Sequence, residues 1–301
     1  MLPLVAVANS IINTYLDSLK RDLSNDGFET IILILSIALI SSPVFLLVLL
    51  GLGKFHMPVD PTFYLLWFGL TLLTVVEFIM YIWGLTRTRF LAANTFQSLA
   101  FVMTTLYAVL ILRESIVTLQ IVAVAIGLLG AILFFDWKSL LNSRSGESNN
   151  SGLLMVLLSI FLLPFGSIMY KSAALHTSSY EEFLTGRLVM DFVYYSIFFG
   201  GLFIFWYKKN PFPKLASFVS SWTGGVFMIG SALVELVGSY LFFKLPVPLL
   251  TILGTISIPS GYFIGHIKYK EHINARYIFG AILIVIAVIV FVGTGGDLGS
   301  V

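Results

Sequence analysis

The sequence contains no cysteine, which excludes disulfide bonds, a thiolate nucleophile and a cysteine-ligated metal. Charged residues are also scarce: they make up 11% of the 301 residues, against roughly a quarter in ordinary soluble domains. The 17 basic and 15 acidic residues nearly balance, so no basic surface for nucleic acid is expected. No tract has the basic n-region and small-residue cleavage site of a secretory signal peptide, and no cleaved leader is expected.

Apolar residues are abundant instead, at 58% of the chain with a mean hydropathy of +0.98. A soluble protein of this size could not cover so many apolar side chains with polar surface, so a multi-pass membrane protein is predicted. A span needs about 20 residues, and backbone groups in lipid must hydrogen-bond to one another, which favours helices. Ten apolar stretches are predicted to be helical spans, at about 2–18, 28–51, 62–85, 91–112, 116–136, 152–171, 181–206, 219–243, 246–267 and 273–293.

The tryptophans support this assignment, since all five fall near predicted span ends. Amphipathic indole rings prefer the membrane–water interface, so the sequence predicts five interfacial anchors. They are Trp67, Trp83, Trp137, Trp206 and Trp222.

The longest polar break, residues 137–151, divides the ten stretches into five and five. Glu77 lies within the third predicted helix and Glu235 within the eighth. The distances along the chain from these acids to Arg113-Glu114 and to Lys270-Glu271 agree within about one residue. The sequence therefore predicts two five-helix repeats, 1–136 and 152–301, joined by a polar linker. Because five is odd, the second repeat must be inverted relative to the first.

Short motifs in both halves resemble those of the EamA-type transporters, a ten-helix family of the drug/metabolite transporter superfamily. Residues 84–94 (GLTRTRFLAAN) resemble that family's turn between the third and fourth helices. Residues 112–115 (LRES) are similar to its turn before the fifth helix, and residues 269–272 (YKEH) form the second copy. The resemblance extends along essentially the whole chain. It implies an all-α fold of two inverted repeats and a multi-pass transporter in a prokaryotic plasma membrane.

Three positions relate to that family pattern in different ways. Arg113 and Lys270 stand where the family usually has glycine, and the fourth helix lacks the family's common proline. Pro259 fits the corresponding proline in the ninth helix. The turn acids Glu114 and Glu271 resemble structural residues that interact with the dipole of the following helix, so they are not expected to bind substrate.

The distribution of positive charge and the family resemblance disagree on sidedness. Most lysines and arginines fall in the odd-numbered breaks, whereas the even-numbered breaks carry Lys54, Arg113, Lys171 and Lys244. The positive-inside rule would then place both termini outside, while the resemblance implies that both are inside. The sequence leaves both orientations open.

Two acids deep in predicted spans are the strongest functional candidates. Ionisable residues inside a membrane are expensive and usually line a cavity or pair with one another. Glu77 shares a helix face with Thr74 and Tyr81, and Glu235 shares one with Ser231 and Ser239. A desolvated carboxyl can exchange protons near neutral pH, so the two acids could couple H⁺ to transport or meet a cationic substrate. Alternatively, each could be a neutral, hydrogen-bonded group that holds helices together.

Two basic residues within spans could also meet a substrate. Arg187 and Asp191 are four residues apart on the seventh helix and are predicted to form an ion pair. Arg187 could instead bind an anionic group of a substrate. Lys171, at the end of the sixth helix, matches a lysine that is frequent in the resembling family, although extension to the membrane interface is the alternative.

Polar side chains on three further helices could line a central cavity between the repeats, or simply hydrogen-bond helices together. Proline in a span frees a backbone carbonyl and permits a bend, so Pro259 marks the ninth helix as a candidate wall. The candidates are Asn9 and Asn13 on the first helix, Asn94 and Gln97 on the fourth, and Thr255 on the ninth.

These features favour a secondary transporter of a small polar metabolite, either an amino-acid-like compound, an amine or a drug-like solute. It would work by alternating access, with H⁺ as a candidate coupling ion, and its partners would be this small-molecule substrate and membrane lipid. No phosphate-binding, zinc-protease or nucleophile-elbow motif occurs, so no enzyme activity, catalytic residue, cofactor or metal is expected. The competing hypotheses are an intramembrane enzyme acting on lipid-linked substrates and a non-transporting scaffold or receptor. The substrate, the direction of transport and the oligomeric state do not follow from the sequence.

Overall fold

The regular structure of the described residues is helical throughout. The computed structural model describes residues 1–25, 30–85, 103–105, 107–113, 117–133, 150–207, 211–270 and 275–293. The helices are α1 (Leu2–Asn25), α2 (Thr30–Ser36), α3 (Ser42–Gly51), α4 (Pro61–Leu85), α5 (Thr118–Leu133), α6 (Asn150–Leu175), α7 (Tyr180–Met190), α8 (Ser196–Tyr207), α9 (Phe212–Ser220), α10 (Trp222–Lys244), α11 (Val247–Gly254), α12 (Ser257–Tyr269) and α13 (Ala275–Gly293). A π-helical turn at Ile37–Ser41 joins α2 to α3, and a second at Asp191–Tyr195 joins α7 to α8.

Long apolar helices make the chain an integral, multi-pass membrane protein. Within the described ranges, 7 helical segments are long and apolar enough to cross a membrane. Many of their large apolar side chains point outward, such as Leu65, which is 72% exposed, and Phe205, which is 81% exposed. Such a surface is unfavourable in water and suited to lipid.

Several predicted spans have different bounds in the structure. The stretch 246–267 is divided into α11 and α12, which are separated at Thr255 and Ile256. The amphipathic helix α9 precedes α10 as a separate element, and it buries Leu215 and Phe218 against α2 and α8. Most of the stretch 91–112 lies outside the described residues. The linker 137–151 also does, except for its last two residues, which begin α6.

The bundle is built from closely packed helix pairs: α4 with α6, α5 with α13, and α1 with α10. Small residues permit this approach in membranes, where close van der Waals contact drives helix association. At Gly130 of α5, an added Cβ would lie 2.8 Å from the carbonyl oxygen of Gly280 on α13. A larger side chain at Gly130 would therefore separate these two helices.

Trp67 corrects one prediction from the sequence. Its indole ring is 1% exposed and stacks with Phe63, while its Nε1 donates a hydrogen bond to Asp191 Oδ1 at 2.9 Å. The prediction of an interfacial anchor is therefore wrong for Trp67, because the indole N–H serves a buried carboxylate. Trp222, at the first residue of α10, is 86% exposed, as an interfacial residue should be. Trp137 lies outside the described residues.

Arg113 and Lys270 share an uncommon backbone conformation. Their φ angles are +56° and +53°, in the left-handed region that favours glycine. Lys270 forms the C-terminal cap of α12, where a left-handed residue commonly ends a helix. These are the two positions at which the resembling family usually has glycine. The geometry gives the physical reason for that preference, since a Cβ is strained in this conformation.

Replacing Lys270 with glycine is expected to stabilise the protein, because glycine adopts this conformation without the Cβ clash. The expected gain in the free energy of unfolding is roughly 1 kcal/mol, measured from the thermal unfolding midpoint of purified protein. Lys270→Ala is the matched control, since it removes the same charge but keeps the Cβ. Equal midpoints for the two variants would contradict strain at this position.

Candidate functional site

A cavity with both polar and apolar lining residues lies at the centre of the bundle, between α1, α4, α6, α7, α10 and the broken pair α11–α12. Its volume is about 520 Å³, within the range of small-molecule sites. Both of the acids predicted within spans, Glu77 and Glu235, line it. The other polar lining residues are Asn9, Ser10, Asn13, Thr74, Thr104, Ser167, Tyr170, Arg187, Ser239, Thr251, Thr255 and Ser257.

Arg187 is the best-anchored charge at this cavity. Its side chain is 7% exposed, and its Nε donates to Asp191 Oδ2 at 3.3 Å, which confirms the predicted intrahelical pair. Its Nη1 donates to the Tyr170 hydroxyl at 2.8 Å and to the Glu235 backbone carbonyl at 2.8 Å. Its Nη2 forms an ion pair with Glu235 Oε2. The guanidinium therefore connects α6, α7 and α10.

Asp191 holds this arrangement from behind. It is buried, it starts the π-helical turn, and it accepts a hydrogen bond from Trp67 on α4. One carboxylate oxygen thus faces the indole and the other faces the guanidinium. A buried carboxylate that is satisfied in this way can balance Arg187 permanently, because both its charge and its hydrogen-bonding capacity are used.

Glu235 differs from Asp191 in its access to the cavity. Its side chain is 50% exposed, whereas the side chain of Asp191 is 9% exposed. Ser239, one turn later on α10, donates to the Glu235 carbonyl at 2.6 Å and accepts from the Tyr170 hydroxyl at 2.9 Å. Arg187 also donates to the Ser239 hydroxyl. Glu235 is therefore an acid that contacts a fixed cation and still faces open space.

Glu77 lines the same cavity from α4 in a different electrostatic environment. The charges that act on its carboxyl belong to Asp17 and Lys20 of α1. These two residues pair with each other at 2.7 Å. Among the described residues Glu77 has no direct ion-pair partner. The two acids, which the sequence places at corresponding positions of the two halves, therefore have different surroundings. Glu235 is bound to Arg187, whereas Glu77 is close to the Asp17–Lys20 pair, which is already neutral.

The break between α11 and α12 places backbone at the cavity wall. Gly254, Thr255 and Ser257 line the cavity, and Ser10 of α1 donates to the Gly254 carbonyl at 3.1 Å. Pro259 has no N–H for the carbonyl of Thr255, which instead accepts from the Ile258 N–H at 3.0 Å. Irregular backbone at membrane depth is tolerated where it lines a cavity.

The remaining predicted site residues divide into two groups. Asn9, Asn13 and Thr255 line the cavity, whereas Tyr81, Lys171 and Ser231 are not among its lining residues. Tyr81 and Ser231 are buried, and the Ser231 hydroxyl has no hydrogen-bond partner among the described residues. Asn94 and Gln97 lie outside the described residues.

Lys171 is outside the cavity lining and contacts the end of α10 instead. Its side chain is buried, and its Nζ donates to the Phe242 carbonyl at 2.8 Å and to the Leu245 carbonyl at 3.0 Å. These carbonyls lie at the C-terminal end of α10, where a cation is favourable to the helix dipole. Lys171 therefore caps a helix from inside the bundle.

Sequence reasoning missed Tyr170 as a cavity residue, whereas Ser10 was expected beside the polar face of Asn9 and Asn13. The Tyr170 hydroxyl lies next in sequence to Lys171, which was predicted. Residues next to each other on a helix point about 100° apart, so proximity in sequence gave no signal. The wall can be assigned only after the facing helices are in place.

Polar networks tie helices together at the two ends of the bundle. At one end, the Tyr269 hydroxyl of α12 donates to Asp22 Oδ1 of α1 at 2.9 Å, and Lys268 pairs with Asp22. At the other end, Lys54 pairs with Glu181 at 3.1 Å, and His176 Nδ1 lies 2.7 Å from Asp60 Oδ2.

Asp60 lies in the loop before α4, outside the membrane-spanning segments. Hydrogen bonds from Thr62 and His176 lower the pKa of Asp60, because they favour the charged carboxylate. This loop therefore keeps a negative charge beside His176, at the end of the bundle opposite the contact between α1 and α12.

Comparisons with known proteins agree with this fold. Residues 19–136 match the sequence profile of the EamA-like transporter family. No curated protein matches the chain by sequence. Among solved structures, 28 chains match. One of these, a crystal structure, aligns over 96% of this chain and 95% of its own chain, with a TM-score of 0.65 and 13% identity. At this identity the likeness shows the fold alone.

Asp191→Asn is expected to destabilise the protein strongly, because it leaves the buried guanidinium with one carboxylate instead of two. The free energy of unfolding should fall by roughly 3 kcal/mol, measured by denaturant titration in detergent. Glu181→Gln is the matched control, since it breaks an exposed ion pair with Lys54 and should cost under about 1 kcal/mol. Similar losses for both variants would show that Asp191 does not balance a buried charge.

Proposed function

We propose that this chain, whose residues 19–136 form an EamA-like transporter family domain, is a secondary transporter of a small polar solute. It moves the solute across the plasma membrane by alternating access, with H⁺ as the coupling ion. The observation that carries this proposal is the central cavity, which brings Glu77, Glu235 and Arg187 from three helices to one polar space. Secondary transporters bind substrate and coupling ions in such a space near the membrane midplane.

The packing of helix pairs supports two inverted repeats, 1–136 and 152–301. In a five-plus-five arrangement, helix one corresponds to helix six and helix three to helix eight. The pair α1–α10 (helices one and eight) then corresponds to the pair α6–α4 (helices six and three), and both pairs are in contact. When the two halves are exchanged in this way, the contact of α5 with α13 (helices five and ten) remains the same pair. The contact between the two π-helical turns, in helices two and seven, also remains the same pair. Ten spans related by a pseudo-twofold axis would produce this pattern.

The two end networks fit a mechanism that exposes the cavity to one side at a time. The contact between α1 and α12 joins the proposed repeats at one end, and the pairs Lys54–Glu181 and His176–Asp60 join them at the other. All of these contacts are polar side-chain pairs at the ends of helices. Such pairs can separate at modest cost when water replaces them.

The cavity also bears on the competing hypotheses. A scaffold would be expected to have a packed, dry midplane, whereas the space of about 520 Å³ has charged and polar groups among its apolar lining residues. An intramembrane enzyme would need an acid–base or metal constellation aimed at a reacting bond. The two carboxylates here are instead placed to hold a cation or a proton, which favours transport.

Transport by proteoliposomes should respond to a pH gradient and should lose that response in Glu235→Gln. The amide keeps the shape of the side chain but cannot release a proton. In this variant, the rate of solute flux with an imposed pH gradient is expected to fall to the rate without a gradient. Solute flux is measured directly, and a pH-sensitive dye in the lumen follows the protons. Glu147→Gln, in the polar linker 137–151, should transport like the unmodified protein. Coupling that survives in Glu235→Gln would remove H⁺ exchange from this residue.

Locking α1 to α12 should stop transport if the end near Asp22 must open. Because the chain has no cysteine, Asp22→Cys and Lys268→Cys can be introduced without a background thiol. A short bifunctional thiol reagent is preferable to a direct disulfide, since the two residues meet through long side chains. We expect cross-linking of the double variant to abolish flux, and each single variant to keep its flux with the same reagent. Full flux in the cross-linked protein would exclude opening at this end.

A further inference from the structure

Among the residues that the structure describes, the charges around the central cavity do not cancel. Asp191 and Glu235 both contact Arg187, and Glu77 has no direct ion pair within the described part of the chain. With all four groups ionised, the acids exceed the arginine by two charges, and the buried cation of Lys171 nearby reduces this excess to one. The nearby pair Asp17–Lys20 is neutral by itself and does not change this excess. A low-dielectric cavity with an uncompensated negative charge will take up cations in preference to anions.

The cations near the cavity are already engaged. Each side of the Arg187 guanidinium faces an acceptor: Asp191 at Nε, Tyr170 and Ser239 at Nη1, and Glu235 at Nη2. Lys171 is directed toward the carbonyls at the end of α10. An anionic substrate would have to displace these acceptors, which would leave buried carboxyl and carbonyl groups unsatisfied.

The acids, in contrast, retain capacity for a ligand. The Glu235 side chain is 50% exposed, and its ion pair with Arg187 uses only Oε2. Glu77 faces the same space beside Thr74 and near Asn13, whose side-chain oxygens can accept hydrogen bonds from an ammonium. The rings of Tyr170 and Phe242, whose centroids are 4.9 Å apart, also line the cavity and offer apolar and cation–π contacts.

We propose that the cavity selects a small organic cation with a primary or secondary ammonium group, which Glu235 and Glu77 bind in exchange for protons. This inference rests on the proposed transport function and specifies its substrate class. The ammonium and the proton compete for the same carboxylates, so substrate bound from one side is released when protons arrive from the other. Arg187 acts as a positioning residue that fixes the Glu235 carboxylate and does not contact an anionic group of the substrate.

The groups that face each acid limit how it can exchange protons. Glu235 faces Arg187 and, behind it, Asp191, with the Tyr170 hydroxyl on α6. Glu77 faces Asp17 and Lys20 across the α1–α4 contact, and Tyr81 lies one turn further along its own helix. Glu235 therefore contacts a fixed cation, whereas Glu77 faces a pair that is already neutral.

Three probes that share a phenyl group but differ in charge test the proposal: phenethylamine, hydrocinnamate and phenylalanine. They are titrated by calorimetry into the full chain in nanodiscs. We expect phenethylamine to bind, with affinity falling by up to about tenfold per pH unit on acidification for each proton displaced. The heat should vary with the ionisation enthalpy of the buffer, which reports proton release. Hydrocinnamate and phenylalanine should bind at least about tenfold more weakly.

Two variants locate the binding to the acids. Glu77→Gln and Glu235→Gln should each weaken phenethylamine binding by about tenfold or more and should each remove one released proton. Glu147→Gln, in the polar linker 137–151, is the control and should leave both quantities unchanged. If Glu235→Gln does not fold, Glu77→Gln and the pH dependence of the unmodified protein still decide the question.

The outcomes separate this inference from the proposed function. Tighter binding of hydrocinnamate or phenylalanine than of phenethylamine would overturn cation selectivity, even if proteoliposomes transport that compound. Binding of phenethylamine without proton release would overturn the exchange. Proton-linked binding of phenethylamine without any flux in proteoliposomes would keep the cation site and remove the transport function.

Discussion

The buried charge of Arg187 is the constraint on which the centre of the bundle depends. A guanidinium remains ionised inside a protein, and in a low-dielectric interior each of its faces needs an acceptor. Those acceptors come from Asp191 on the same chain segment, from Tyr170 on α6, and from Glu235 on α10. Trp67 of α4 then satisfies the remaining oxygen of Asp191. Four helices are thus held in register by one side chain.

The same constraint divides the carboxylates of the site by role. Asp191 is enclosed and balances Arg187, so the ion pair of Glu235 with the same guanidinium adds a charge that structure alone does not need. Glu77 is not fixed by a direct partner among the described residues. The site therefore combines a rigid support with two acids whose charge can be met by something that enters and leaves. Rigid positioning with exchangeable charge is what a site of reversible binding needs.

Local patterns in the sequence predicted part of this site. Apolar run lengths indicated the helices, the scarcity of charge marked Glu77 and Glu235, and the four-residue spacing predicted the pair of Arg187 with Asp191. The pair of Arg187 with Glu235 joins residues 48 positions apart and arises from tertiary packing. Trp67 was misassigned for the same reason, since burial depends on what faces a helix. Composition could not distinguish a lipid-facing indole from one that donates to a carboxylate.

The π-helical turn at Asp191–Tyr195 makes the length of this helix part of the site. A π turn contains one residue more than an α turn, and each residue of a helix advances the direction of the side chains by about 100°. If this segment closed into a regular α-helix without losing a residue, Arg187 would rotate by about that angle relative to α8. The guanidinium would then point away from α10, although every residue type in the site would be retained. In this helix, the direction of the side chains around the helix axis determines the charge arrangement as much as the identity of the residues does.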